Sequence, residues 1–268
     1  MNRPLVDIGV NLTSKQFSAD LPQVIARALA ADVRFMIVTG LTAPLSRAAV
    51  ALARSRPEAL CCTAGVHPHN ASSLDPLALA ELRQVARAPE VVAVGECGLD
   101  YDREFSPRDQ QRQAFECQLE LAAELGKPVF LHERSAHEDF LSILKNARAR
   151  LVGGVVHCFT GDERALTAYL ELGLCIGMTG FICDERRGTH LQALVRRVPP
   201  EQLMIETDAP FLLPRDLRLR ERRNEPCHLP HVAKSVARFA DRDEADVRRD
   251  TTATAFRLFG LEARFGSR

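Results

Sequence analysis

The chain has 268 residues, of which 46% are hydrophobic and 26% are charged. This composition excludes an intrinsically disordered chain, and the length suffices for a sizeable core or for one α/β barrel, which commonly needs about 250 residues. Lysine plus arginine and aspartate plus glutamate number 35 each, so no global positive field is present and any nucleic-acid binding must be local.

Short apolar runs rich in valine, isoleucine and leucine alternate along the chain with longer stretches of helical period. The runs predict strands at 5–10, 34–39, 60–66, 91–96, 129–132, 152–157, 174–178 and 203–207. The stretches predict helices near 18–31, 43–55, 76–88, 107–126, 136–148, 162–172 and 188–198, with two more between 228 and 261. Eight such units predict an α/β fold, a (β/α)8 barrel of the TIM-barrel type. No linker divides the chain, so a single domain over residues 1–268 is expected.

The eight cysteines lie along the chain without CxxC spacing, which argues against a zinc ribbon and a small disulfide scaffold. We expect most of them to be reduced, buried and structural. The amino-terminal segment MNRPLVDIGV is apolar for only a few residues and resembles neither a signal peptide nor a membrane span. A cytoplasmic location without a membrane partner is therefore expected.

Four of the predicted strands end at residues that can bind a metal ion. Glu96 ends the fourth, His132 the fifth and His157 the sixth, and Asp208 follows the eighth. Catalytic groups of such barrels lie at the carboxyl ends of strands, and alternation along a strand places Glu96 on one face with Val92 and Val94. A single histidine at a strand end is more often a buried, hydrogen-bonded residue, but four ligand types at equivalent places favour a divalent metal centre compatible with Mg²⁺, Mn²⁺ or Zn²⁺.

Further polar residues are expected at the same mouth. His67 follows the third strand and is predicted to contact a phosphate or a second metal, whereas His69 is equally well explained as a loop histidine fixed by proline. Glu206, two residues before Asp208, is predicted to support the ligands or to lie deeper in the barrel.

Substrate contacts are predicted on two loops. Asp100, Tyr101 and Arg103 follow the fourth strand, and Tyr101 offers a surface for base stacking. The loop after the eighth strand carries several arginines that could bind a phosphate backbone: Arg215, Arg218, Arg220, Arg222 and Arg223. Acidic residues interleave with them, so a solvated charge run explains most of these arginines better than phosphate binding does.

Several segments together resemble one known family. They are AGVHPHN at 64–70, GECGLDY at 95–101, FLHER at 130–134, HCFTG at 157–161, ETDAPFLLPR at 206–215 and NEPCHLPHV at 224–232. In this order they resemble the TatD family of metal-dependent nucleases, part of the amidohydrolase-like barrels. The resemblance implies a divalent-metal phosphodiesterase in which Glu96, His132, His157 and Asp208 match the metal-site positions.

Strand one departs from many members of that family. Where they carry DxHxH, this chain has DIGVN at 7–11, so both histidines are absent. The opening DIGVNLTSKQF resembles a bacterial subgroup, which implies 3'-5' exonuclease action on single-stranded DNA and RNA with Mg²⁺. Loss of two imidazoles shifts the remaining site toward oxygen ligands and water, which suits Mg²⁺. A role in DNA repair or RNA turnover is implied by the resemblance alone.

The expected mechanism is attack by a metal-activated water on a terminal phosphodiester. Glu96, His132 and His157 would hold the metal, Asp208 would be a ligand or the general base, and His67 would orient the phosphate. A monomer without an obligate protein partner is expected. Two alternatives stay open: hydrolysis of an amide, lactone or aminoacyl-tRNA ester, which a substrate panel would separate, and a non-catalytic scaffold that binds no divalent ion.

Overall fold

The computed structural model describes residues 4–219 and 222–266, in which eight parallel strands form one barrel-shaped sheet in chain order. The strands are β1 Leu5–Val10, β2 Val33–Val38, β3 Leu60–Ala64, β4 Val91–Asp100, β5 Val129–Arg134, β6 Gly154–Val156, β7 Cys175–Met178 and β8 Leu203–Ile205. Beyond β8, the Asp208 N–H donates to the Gly9 carbonyl (2.9 Å) and the Asn11 N–H donates to that of Ala209 (2.8 Å). These bonds join the last strand to the first, and the predicted (β/α)8 barrel is confirmed.

Helices lie between successive strands and cover the outside of the barrel, and further helices follow the last strand. They are α1 Leu21–Ala30, α2 Ala43–Ser55, α3 Pro76–Ala86, α4 Arg108–Leu125, α5 His137–Ala147, α6 Glu163–Glu171, α7 Thr189–Leu194, α8 Leu229–Ala240, α9 Glu244–Phe259 and α10 Glu262–Phe265. Thr42, Asp75 and Asp162 cap α2, α3 and α6 by accepting a backbone N–H, which fixes where these helices begin. The predicted helix at 188–198 is shorter than expected, because its second half is a 3-10 turn at Val195–Arg197.

Two apolar cores lie on the two faces of the sheet. The inner core takes residues from all eight strands, namely Val6, Ile8, Phe35, Ile37, Cys61, Ala93, Phe130, Val155, Cys175 and Met204. Val94 belongs instead to the outer core beneath the helices. The amino-terminal end of the inner core is closed by α9 and α10, where Phe256 and Phe265 contact Phe35 with ring centroids 5.4 and 4.2 Å apart.

The fourth strand corrects one prediction. Ala93, not Val94, points into the barrel, so strict alternation would turn Glu96 outward. The pairing register between β4 and β5 shifts between Gly95 and Cys97, which brings the Glu96 side chain back to the inside. β4 then continues to Asp100, so Glu96 lies within the strand rather than at its end.

The remaining broad predictions can be compared directly with the structure. All eight cysteines are free, and Cys61, Cys62, Cys97, Cys175 and Cys183 are buried, as expected. In residues 4–219 and 222–266, no helix combines the length and the apolar character needed to cross a membrane.

Candidate metal centre and active site

A cavity of about 320 Å³ opens at the carboxyl ends of the strands. Its walls include the four predicted metal ligands Glu96, His132, His157 and Asp208, together with His67. The volume lies at the small end of the roughly 300–1,000 Å³ typical of small-molecule sites. The structure therefore brings these five side chains from five different parts of the chain to one place.

Glu96 is the centre of this group. Its Oε1 lies 2.7 Å from His157 Nε2, 2.8 Å from His132 Nδ1 and 3.2 Å from His67 Nε2. Although burial opposes ionisation, the charge of His157 and the hydrogen bonds from His132 and His157 hold the pKa of Glu96 well below its usual value. The carboxylate is therefore ionised and available as a metal ligand.

Glu206 occupies a pocket made by two glycines. A Cβ on Gly9 would lie 2.2 Å from Glu206 Oε2, and one on Gly177 would lie 2.6 Å from Oε1. The Cys158 N–H donates to Oε1 (2.6 Å), and Oε2 lies 3.4 Å from His157 Nδ1. A carboxylate behind the far nitrogen of a histidine fixes which ring nitrogen faces a metal, and Glu206 lies in such a position behind His157.

His67 differs from the other histidines in its tautomer. The His69 backbone N–H donates to His67 Nδ1 (3.0 Å), so Nδ1 carries the lone pair. Burial lowers the pKa of His67 to about 4, so the ring is neutral and its proton is on Nε2. His67 Nε2 is thus a hydrogen-bond donor that points into the cavity.

Asp208 is held by strand one. Asn11 Nδ2 donates to Asp208 Oδ1 (2.9 Å). Burial raises the pKa of Asp208 to about 7, with the charges of Glu96 and Glu206 adding to the effect and His157 opposing it. Asp208 and Cys158 also adopt left-handed backbone conformations, with φ of 53° and 44°, which is common at functional sites.

The residues present fit a divalent cation. Glu96 Oε1 lies within 2.8 Å of both His132 Nδ1 and His157 Nε2, so three possible ligand atoms meet at one point. The buried atoms His132 Nε2 and His157 Nδ1 have no hydrogen-bond partner, although carboxylate oxygens of Asp100 and Glu206 lie 3.4 Å from them. Burial disfavours charged imidazoles, yet the surrounding carboxylates raise the pKa of both His132 and His157. The negative charge of these carboxylates, which favours protonated histidines, would equally stabilise a bound cation.

The predicted substrate residues are dispersed. Tyr101 lies outside the central cavity: its hydroxyl donates to Asp139 (2.7 Å) and Arg108 covers its ring at 4.3 Å. Arg223 forms ion pairs with Asp20 and Glu225, both at 2.7 Å, and does not line the cavity. Arg222 and Arg218 are exposed, Arg215 lies 3.9 Å from Asp184, and Arg220 lies outside the described residues. The structural explanation fits Arg223 best, because its guanidinium is already engaged.

Three further residues lie at the mouth, and their positions there do not follow from the sequence predictions. Asp100, predicted as a loop contact to substrate, ends β4 inside the site, where it accepts from His69 Nε2 (2.7 Å). Arg134 lies two residues after His132 on β5, so strand alternation alone would have placed it on the same face. Phe211, 50% exposed, lines the cavity beside Asp208, and no sequence signal singled it out.

The fold and the site together define a TIM barrel with a histidine and carboxylate centre suited to a divalent metal ion, at the end of the barrel where such enzymes carry their active sites. The family model described as TatD related DNase matches residues 6–260. This chain belongs to that family.

Relatives and solved structures agree with this assignment. The chain is 52% identical to a protein of Edwardsiella piscicida named 3'-5' ssDNA/RNA exonuclease TatD, over 96% of this chain and 100% of the relative. A protein of the same name from Erwinia tasmaniensis is 51% identical, with the same coverage. The crystal structure of YJJV, a TatD homologue from Escherichia coli K12, has a TM-score of 0.90 at 27% identity and covers 97% of this chain and 99% of its own.

Proposed function

We propose that this chain is a metal-dependent 3'-5' exonuclease that hydrolyses the terminal phosphodiester bonds of single-stranded DNA and RNA. The observation that carries the proposal is the convergence of Glu96, three histidines and Asp208 on one cavity. The names of the relatives that are about half identical over their whole length supply the polarity and the substrate.

Glu96, His132 and His157 would hold the ion, and we propose Mg²⁺, with Mn²⁺ or Zn²⁺ as alternatives. Strand one supports this choice, since Gly9 and Asn11 leave the site with fewer imidazoles and more oxygen donors than a DxHxH strand would give. A bound divalent ion supplies Lewis acidity toward a phosphoryl oxygen and lowers the pKa of water.

Asp208 and His67 would handle the proton and the phosphate. Asn11 fixes Asp208 Oδ1, which leaves Oδ2 to accept a proton from the attacking water. His67 Nε2–H would donate to a phosphate oxygen, because its other nitrogen is occupied by a backbone N–H. The two side chains thus have separate roles.

A second cavity of about 790 Å³ adjoins the first and would receive the nucleotides that precede the 3' end. Glu133 and Arg134 line both cavities. In the larger one, Arg108, Arg164 and Arg187 pair with Glu104, Glu138 and Asp184, whereas none of the ion pairs found among the described residues includes Arg134. An unpaired guanidinium between the two cavities is suited to a phosphate of the chain.

Base stacking would fall chiefly to phenylalanine rings, because Arg108 covers the ring of Tyr101, which lines the larger cavity. Phe211 lines the central cavity and is half exposed, and Phe105 is 68% exposed and lies 4.7 Å from the His69 ring. Exposed aromatic rings beside a cavity stack on bases without regard to sequence.

The monomeric state and the cytoplasmic location of the protein stay predictions.

The test is digestion of 5'-labelled single-stranded DNA and RNA by the purified protein with Mg²⁺, Mn²⁺, Zn²⁺ or EDTA. We expect a ladder of stepwise shorter labelled products that disappears in EDTA, and no cleavage of circular single strands, which have no ends. Immediate release of the labelled mononucleotide would overturn the polarity. Absence of cleavage with every metal would overturn the nuclease and direct the search to carbonyl esters and amides.

Arg134→Gln is expected to weaken substrate binding more than chemistry. Loss of one phosphate contact should raise KM several-fold, leave kcat nearly unchanged and reduce the salt dependence of binding by about one counterion. The control is Arg164→Gln, in the same cavity but already paired with Glu138. Equal effects of the two substitutions would contradict the specific role of Arg134.

A further inference from the structure

A second group of metal-binding side chains lies outside the central cavity. Ligand atoms of Cys183, Asp216 and His231 are all within 4.8 Å of one another, and His231 Nε2 lies 2.8 Å from Asp216 Oδ1. None of the three lines the central cavity. They come from the turn after β7, the loop after β8 and the first turn of α8.

Local structure holds these three residues in place. The turn Gly180–Cys183 packs against α8, the helix that carries His231. Asp184 accepts the N–H groups of Arg186 and Arg187, and its carboxylate faces Arg215 at 3.9 Å. Cys183 in one loop therefore faces Asp216 in the other, and the adjacent Asp184 faces Arg215.

The donor set differs in kind from that of the central site. Thiolate, imidazole and carboxylate together favour Zn²⁺ or Co²⁺ over Mg²⁺, which prefers oxygen. Three protein ligands leave a fourth position, and it would face solvent because Asp216 is exposed while Cys183 is buried. Metal–ligand lengths of about 2.0–2.3 Å put tetrahedral ligands roughly 3.5 Å apart, within reach of the separations seen here.

We propose that Cys183, Asp216 and His231 form a second metal site, selective for a thiophilic divalent ion such as Zn²⁺, that links the loops after β7 and β8 to α8. The loop after β8 carries Phe211 and Leu212 on the wall of the central cavity, and the β7 turn abuts it closely, since a Cβ on Gly180 would lie 2.6 Å from the Leu212 carbonyl oxygen. A metal at this site would stabilise that wall. The proposal does not depend on the nuclease activity.

The test is titration of the full-length, metal-free protein with Co²⁺, followed through the near-ultraviolet thiolate-to-cobalt charge-transfer band. The central ligands contain no thiol, so the band reports a cysteine ligand alone. We expect a band that saturates at one equivalent, persists in Glu96→Gln and is displaced by Zn²⁺. It should be absent in Cys183→Ser, and binding should be roughly 10–100-fold weaker in His231→Gln.

Two other cysteines provide matched controls. Cys227 and Cys158 are residues less buried than Cys183, and Cys158 lies at the central cavity; Cys227→Ser and Cys158→Ser should both retain the band. If Cys183→Ser does not fold, His231→Gln decides, because His231 is only partly buried. Absence of a band in the unaltered protein, or its persistence with unchanged affinity in His231→Gln, would overturn the proposal.

Discussion

Glu96→Gln is expected to lower the metal-dependent nuclease rate by roughly 100-fold or more, beyond the 10–100-fold typical of residues that only orient metal ligands. The amide keeps the shape of the side chain but removes the charge on which His67, His132 and His157 converge. Calorimetric titration with Mg²⁺ or Mn²⁺ should show a matching loss of affinity. The rate and the affinity should fall together, since one carboxylate serves both.

The matched control is Glu90→Gln, a buried glutamate that pairs with Arg54 away from the cavity. It should retain both the rate and the metal affinity. A Glu96→Gln protein with wild-type activity would remove the central site from the mechanism. Lost activity with unchanged metal affinity would instead assign Glu96 a role in handling protons.

Asp7→Asn is expected to change how stability depends on pH. Asp7 is fully buried beside the seam between β1 and β8, where Thr207 donates its backbone N–H to Oδ1 (2.9 Å) and its hydroxyl to Oδ2. Burial raises the pKa of Asp7 from 3.8 to about 8. Between those values the folded chain keeps a proton that the unfolded chain has released, so this contribution to stability is complete below pH 3.8 and is lost as the pH rises to 8.

The expected size of this effect is large. Asp7 alone should lower the free energy of unfolding by about 1.4 kcal/mol for each pH unit across the interval, and Asp7→Asn should remove this contribution while that of Asp208, whose pKa is also raised, remains. The amide can accept from the Thr207 N–H and donate to the Thr207 hydroxyl, so the seam keeps its bonds. Urea unfolding at a series of pH values measures the difference between the two proteins.

Asp184→Asn is the control for this experiment. Asp184 is also buried, but the N–H groups of Arg186 and Arg187 and the Arg187 guanidinium outweigh burial and lower the pKa of its carboxyl. Its contribution is lost only in more acidic solution, so its removal should leave the slope above pH 4 intact. The same slope in Asp7→Asn and in the unaltered protein would show that Asp7 is ionised in the folded chain.

Sequence patterns were sufficient for the barrel, and the reason is periodic burial. Strands covered on both faces are continuous apolar runs, and helices that cover a sheet repeat their apolar residues at helical spacing, so both could be located along the chain. Element ends were less accurate, because hydrogen-bond geometry sets them. The strand predicted at 152–157 is only Gly154–Val156, whereas the one predicted at 91–96 extends to Asp100.

The residue types of the candidate site were also evident, since polar side chains that follow buried strands are costly unless they have partners. Strand geometry placed His132, His157 and Asp208 on the inner face correctly, as the even spacing from Phe130, Val155 and Met204 shows. The same reasoning failed for Glu96, because a register shift is a property of the pair of strands and not of one sequence.

Only the tertiary structure decided which of the remaining polar residues act together. Arg223 and Arg134 are both arginines near the mouth. Arg223 forms ion pairs with Asp20, which is distant in sequence, and with Glu225, which is near. None of the ion pairs among the described residues includes Arg134. The partner of Asp208 is Asn11, 197 residues away, and the space for Glu206 is the missing Cβ of Gly9. The composition and the spacing of apolar residues along the chain thus determined the barrel and the kinds of side chain at its mouth. The distances between those side chains, and therefore their charges and donors, depend on contacts between residues far apart in the chain, which only the folded structure specifies.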